Sequence, residues 1–241
     1  SSVAILQDQF RLSGRTKVVC ETISILNSLR IVPEILTFTP ERVGRSVGSF
    51  LGLEDLEFDY VHVAPVPFKR GGLLQIITIN WLTQARHKQY DLVFNSNNTL
   101  HGLNPLAQYL HYIYYPIPVD SAGMDRIKHF KESSMRLIYA RFCAWLLSRS
   151  EKVPLNGKSY TISKFSQNAV LRVYPESVGR VGVIYPPSFE GGVTHEGYRS
   201  QRCVTVGSII PGKRQLEQLI IASQLPQIEF WIVGSVRSQS Y

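Results

Sequence analysis

Cysteine, methionine and tryptophan are scarce in this sequence of 241 residues, with three, two and three copies. Cys20, Cys143 and Cys203 lie far apart and form no C-x-x-C pair, which excludes a zinc ribbon and a disulfide framework. All three sit in apolar stretches, so buried free thiols in a reducing compartment are expected. Acidic residues are also few: 18 Asp and Glu face 26 Lys and Arg, a formal net charge of +8. That excess suits anionic partners in general, whether lipid headgroups or phosphorylated ligands. No helix-turn-helix, RRM or KH signature is present and the positive charge is spread along the chain, so nucleic acid is not an expected partner. No apolar run is long enough to span a bilayer and no signal peptide is visible. G-x-G-x-x-G is missing, which removes the dinucleotide fingerprint. What remains is 44% hydrophobic and 18% charged, the balance of a globular chain.

Read in order, the chain alternates strand and helix. Val3–Gln7 is a strand, the polar stretch Asp8–Thr16 a loop with Gly14, Lys17–Arg30 a helix and Ile35–Phe38 a second strand, the opening of a βαβ unit. Further strands are expected at Tyr60–Val63, Asp91–Asn95, Gln108–Tyr115, Ser159–Ser163 and Val181–Tyr185, with a helix over Leu73–His87. Ser163 has the type and place of an N-cap for a helix over Lys164–Tyr174. Pro186-Pro187 and the Gly- and Ser-containing stretch after them break the pattern. The βα pattern then restarts at Cys203–Val206 and runs through Glu229–Val236. Two units follow, 1–186 and 187–241, and the second is too short to close a sheet of its own, so it is expected to be cut short. Ser1-Ser2 in place of an initial Met fits a trimmed chain.

The stretch most able to hold an anion is Arg202–Ser223. A strand, a turn with Gly207 and Gly212, Lys213, and a helix start would aim backbone N–H groups and a full charge at one ligand. Gly207 to Lys213 satisfies G-x-x-x-x-G-K, the first seven positions of a P-loop. The eighth should be a Ser or Thr that ligates Mg²⁺, and here it is Arg214. A P-loop NTPase is therefore the weaker reading.

Five stretches in order resemble the GT-B, family-4 glycosyltransferases. Val206-Gly207-Ser208-Ile209-Ile210-Pro211-Gly212-Lys213 is similar to their V-G-[RQ]-x-x-P-x-K, and Val183-Ile184-Tyr185-Pro186-Pro187 to their V-I-Y-P-P crossover. Thr161–Ser166 resembles N-S-x-[WF]-[ST], Tyr90–Val93 a strand before the acceptor-side loop, and Tyr112–Pro116 the Y-[IV]-H-[YF]-P of mannosyl-transferring members. Among these, the enzymes that build lipid-linked oligosaccharides look nearest. The resemblance implies an α/β fold: a Rossmann-like parallel sheet domain on the acceptor side, then the start of a second Rossmann-like domain for the donor. It implies transfer of a hexose, mannose among the candidates, from a GDP- or UDP-linked donor to a lipid-linked or polysaccharide acceptor. No metal and no separate cofactor are implied.

The same resemblance assigns roles. Lys213 contacts the donor diphosphate, Gly207 and Gly212 admit the phosphates, and Ser208 and Arg214 flank them. Gly14 lies in the first glycine turn. Tyr114 and His111 are the candidates on the tyrosine-rich strand. The sequence departs from the family at three places: Ser208 replaces an Arg, Tyr114 replaces a His, and no E-x-x-x-x-x-x-x-E follows. A non-catalytic α/β nucleotide-binding module is the alternative these departures leave open. Residues 126–152 carry seven Lys and Arg against Glu132 and Glu151, around the apolar Met135–Leu147. That segment reads as a buried helix with a basic edge or as a surface resting on anionic lipid. The second option gives a cytoplasmic protein, peripheral at the inner face of a membrane.

Overall fold

The computed structural model describes residues 1–11, 13–50, 55–65, 72–100, 103–116, 134–149, 158–187, 201–210 and 213–236. In chain order these form β1 (Val3–Leu6), α1 (Gly14–Ser28), β2 (Glu34–Thr37), α2 (Glu41–Phe50), β3 (Asp59–His62), α3 (Gly72–His87), β4 (Leu92–Asn95) and β5 (Tyr109–Ile113). Then come α4 (Ser134–Ser148), β6 (Lys158–Thr161), α5 (Lys164–Val173), β7 (Val181–Val183), β8 (Arg202–Val206), α6 (Gln215–Gln224) and β9 (Glu229–Val233). The chain divides into two compact units, Ser1–Ser188 and Phe189–Tyr241.

In the first unit seven strands make one parallel sheet in the order β3-β2-β1-β4-β5-β6-β7. The central strands, β1 and its neighbours β2 and β4, are short, largely apolar and buried, as strands covered on both faces must be, while β3 at the edge is polar at both ends and only partly buried. On one face Val18, Val19 and Ile23 of α1 cover Ile5, Ile35, Phe94 and Tyr112. On the other, Ile79 of α3 covers Ala4, Leu6, Leu36 and Val93, while Val170 of α5 packs with Ile113 and Val181. Burying one such aliphatic side chain contributes about 1.5–3 kcal/mol. Strand order runs one way from β1 to β3 and the other way from β4 to β7, so the reversal falls between β1 and β4. This is the expected α/β, Rossmann-like parallel arrangement. In the second unit β8 and β9 pair in parallel, and α6 connects them.

Local chemistry sets the helix ends. α1 begins at Gly14 and not at Lys17, because the Ser13 side chain accepts from the Thr16 backbone N–H at 3.2 Å and caps the first turn. Ser163 caps α5 in the same way through Ser166 N–H, as its position predicts. At the other end of α1, Arg30 sits at φ 60°, with Arg30 N–H on Asn27 O and Ile31 N–H on Leu26 O, a Schellman motif without its usual glycine. Arg30→Gly relieves a left-handed side-chain conformation and is expected to stabilise the first unit by up to about 1 kcal/mol, read as a rise in thermal midpoint.

One expectation is overturned. Cys20 and Cys143 are buried free thiols, but Cys203 is exposed. Its apolar run, Cys203–Val206, reads as a core strand; in the two-stranded sheet it is left largely uncovered, with Val204 and Val206 exposed as well.

Candidate functional site

In an open parallel sheet, ligands gather beyond the carboxyl ends of the strands where the strand order reverses. Here that place is made by Gln7-Asp8-Gln9 after β1 and Ser96-Asn97-Asn98 after β4. The Asp8 backbone N–H donates to Asn97 Oδ1 at 3.2 Å, and Asn97 Nδ2 donates to Asn80 Oδ1 of α3 at 3.2 Å. Asn97 N–H donates to Asn95 Oδ1 at 3.0 Å, and Gln9 Nε2 to Gln75 Oε1 at 2.6 Å. Ser96 Oγ donates to Leu6 O at 3.1 Å. These groups are almost wholly withdrawn from solvent, so each bond replaces one lost to water and the set is rigid. The charged members are Asp8 and Arg15, which form an ion pair; Arg15 comes from the first turn of α1 and keeps a fifth of its side chain exposed.

Two expected site residues converge here. Gly14 opens α1 directly before Arg15, and a Cβ built on it meets nothing within 4 Å. Tyr114, just beyond β5, donates its hydroxyl to Arg15 O at 3.3 Å, and its backbone N–H donates to Asn98 Oδ1 at 3.1 Å. Burial holds its phenol well above the ordinary tyrosine range, so it stays a donor.

His111 stands elsewhere. It lies within β5 with no exposed surface, on the face opposite Tyr112 and stacked on Tyr109 at 5.2 Å. Asn95 Nδ2 stands 3.1 Å from its Nδ1. Since that amide can only donate, Nδ1 accepts and the ring proton is on Nε2. Nε2, like Oγ of Ser159 beside it in register on β6, has no partner among the described residues. Burial lowers the His111 pKa to about 3, so the ring is neutral. Its reach to the strand ends is indirect, through Asn95 to Asn97.

In the second unit, Gly207 and Ser208 follow β8, and Lys213 and Arg214 precede α6; Gly212 lies outside the described residues. Lys213 is exposed and enters no ion pair among the described residues. Arg214 is the N-cap of α6 at φ 57° and is drawn onto Glu217 by a 2.9 Å ion pair. Gln215, the first residue of α6, is buried and donates from Nε2 to Ser208 O at 3.0 Å, while its Oε1 has no partner among the described residues. Past Gly207 the two strands stay joined, Gly207 N–H to Val233 O and Ile209 N–H to Ser235 O, each at 2.9 Å.

Asp8, Arg15, Asn97 and Gln215 were not among the sequence candidates. A signal existed for three of them: polar runs set directly after the first and fourth strands, and a Ser-x-x-Thr cap beside Arg15. Among the described residues no three His, Cys, Asp or Glu side chains converge as a metal site would require.

No protein-family model matches the chain, and no curated protein matches it. Solved structures do. A glycosyltransferase from Rickettsia africae ESF-5 aligns at TM-score 0.51 and 13% identity, over 98% of this chain and 68% of that one. The glycosyltransferase SnogD from Streptomyces nogalater aligns at TM-score 0.48 and 17% identity, over 98% and 67%. The likeness to the Rickettsia enzyme is one of fold.

Proposed function

We propose that the protein is a glycosyltransferase that moves a hexose, with mannose the first candidate, from a GDP- or UDP-linked donor to a lipid-linked or glycan acceptor without a metal ion. The observation that carries the reading is the fold shared with a glycosyltransferase, in a chain whose second unit sets an exposed Lys213 at a strand–turn–helix corner. In this reading the second unit holds the donor. As the glycosidic bond breaks, negative charge grows on the departing diphosphate, and Lys213 with the N-terminal amides of α6 offsets it. Gly207 and Gly212 let the backbone approach the phosphates, and Ser208 adds a hydroxyl. Arg214 contributes only when Glu217 releases it.

The first unit holds the acceptor at the reversal between β1 and β4. Asp8 fixes Arg15 there, and Arg15 presents its guanidinium to an anionic group of the acceptor. Tyr114 and His111 act one step removed, Tyr114 by holding the first turn of α1 and His111 by orienting Asn95.

Calorimetric titration with GDP-, UDP- and ADP-sugars tests the reading. The GDP- or the UDP-sugar is expected to bind in preference to the ADP-sugar, and Lys213→Ala is expected to weaken that binding about 10- to 100-fold, the worth of a charge-assisted contact. Tight binding of ATP–Mg²⁺ with no response to any sugar nucleotide overturns it.

A further inference from the structure

Helix α4 has two apolar faces, and the first unit uses one of them. Cys143 and Leu147 are buried against Leu73, Leu74 and Ile77 of α3, and the Tyr139 hydroxyl accepts from Leu74 N–H at 3.1 Å. Three other apolar side chains are turned to solvent: Ile138 is 62% exposed, Phe142 48% and Trp145 48%. Arg141 and Arg149 are exposed beside them. At 3.6 residues per turn these five positions fall within an arc of about 100°, opposite the face turned to α3. The surface is organised as well as apolar. Phe142 and Trp145 stack at 5.9 Å between ring centroids, and the Arg149 guanidinium lies over the Trp145 ring at 4.5 Å.

We propose that this face of α4 docks the protein on an anionic lipid bilayer, the helix lying in the plane of the interface. Ile138, Phe142 and Trp145 enter the boundary between headgroups and acyl chains, and Arg141 and Arg149 reach lipid phosphates along their apolar stems. Charge selects this occupant. No Asp or Glu occurs from Ser134 to Arg149, and the whole chain carries +8. A second copy docked on the same face would bring arginines against arginines with no counter-charge. Length agrees: the 15 residues of α4 extend about 22 Å, too short to cross a hydrocarbon core of about 30 Å. None of the helices, among the described residues, is long and apolar enough to span a membrane. The proposal does not depend on sugar transfer.

Co-sedimentation with phosphatidylcholine vesicles, with and without phosphatidylglycerol, tests it. The protein is expected to pellet with the anionic vesicles and to be released by added salt. Phe142→Ser with Trp145→Ser is expected to lower the bound fraction about tenfold or more. Arg141→Gln with Arg149→Gln is expected to remove the preference for phosphatidylglycerol. All four side chains are exposed, so the melting curve of each variant should match the parent. A parent protein that stays in the supernatant with both vesicle types overturns the proposal. So does a Phe142/Trp145 variant that sediments like the parent, or a dimer in solution that this variant dissolves. None of these results alters the sugar-nucleotide titration, so the two readings fail separately.

Discussion

Gly234→Ala is expected to unfold the second unit and leave the first intact. A Cβ on Gly234 would stand 1.7 Å from the Gly207 carbonyl oxygen and 2.7 Å from its carbon. Both are backbone atoms, so no rotamer change relieves the overlap; β8 and β9 must part at their carboxyl ends. Those ends are joined by Gly207 N–H to Val233 O and Ile209 N–H to Ser235 O, and the strands touch again at Ile209 and Val236. Among the described residues the sheet has two strands, so no third described strand holds it while the pair opens. The cost exceeds about 4 kcal/mol, the range reserved for changes that break a structural unit. Limited proteolysis should then cut freely within residues 201–236 while the first unit survives as a resistant fragment. Gly14→Ala is the control: its Cβ meets nothing within 4 Å, and at the start of a helix it should be neutral or slightly stabilising. Equal protease resistance of the parent and Gly234→Ala would mean that the close approach of the two glycines is dispensable.

How far the fold and the site can be read from sequence differs for a physical reason. Strands such as Val3–Leu6 and Leu92–Asn95 are runs of four residues covered on both faces, and such runs announce themselves by apolarity alone. The cap at Ser163 is an equally local signal. Strand order is not local. Asp8 and Asn97 are 89 positions apart and meet only because β1 pairs with β4, which no periodicity encodes. The polar runs after both strands were visible, but their convergence was not. His111 shows the converse limit: a histidine among tyrosines in YLHYIYY gives no sign of whether it faces solvent, and the sheet covers it entirely. Cys203 misleads because an apolar strand reads as core, whereas the two strands and one helix described in the second unit leave it exposed.

Acid is expected to destabilise the first unit well before its carboxylates are protonated. Two histidines are buried neutral. His111 is lowered to about 3 and His87 to about 4, in both cases because burial penalises the charged ring, from an ordinary value of 6.5. The His87 ring sits between Thr83 Oγ1 and the Tyr109 hydroxyl, each at 2.8 Å, and His111 rests on Asn95; among the described residues neither hydrogen bonds to a carboxylate. Thr83 Oγ1 already donates to Ile79 O, so it accepts from His87 Nε2–H, and Nδ1 accepts from Tyr109. A second proton on His87 Nδ1 would lose that bond and charge the core. Once unfolded, both rings take up protons as pH falls below about 6.5, while folded they resist. The unfolded state therefore binds more protons between pH 6.5 and about 4, and stability rises with pH across that window, falling as acid is added. Between pH 7 and 5 each ring removes about 2 kcal/mol, so together they consume a large part of the 5–15 kcal/mol typical of a domain. Urea denaturation followed at pH 7.5 and 5 should show the loss. His87→Gln and His111→Gln should each be less stable at pH 7.5 yet lose less on acidification, because the replaced side chain has no proton to gain. A pH slope unchanged in both variants would place the acid sensitivity in other groups.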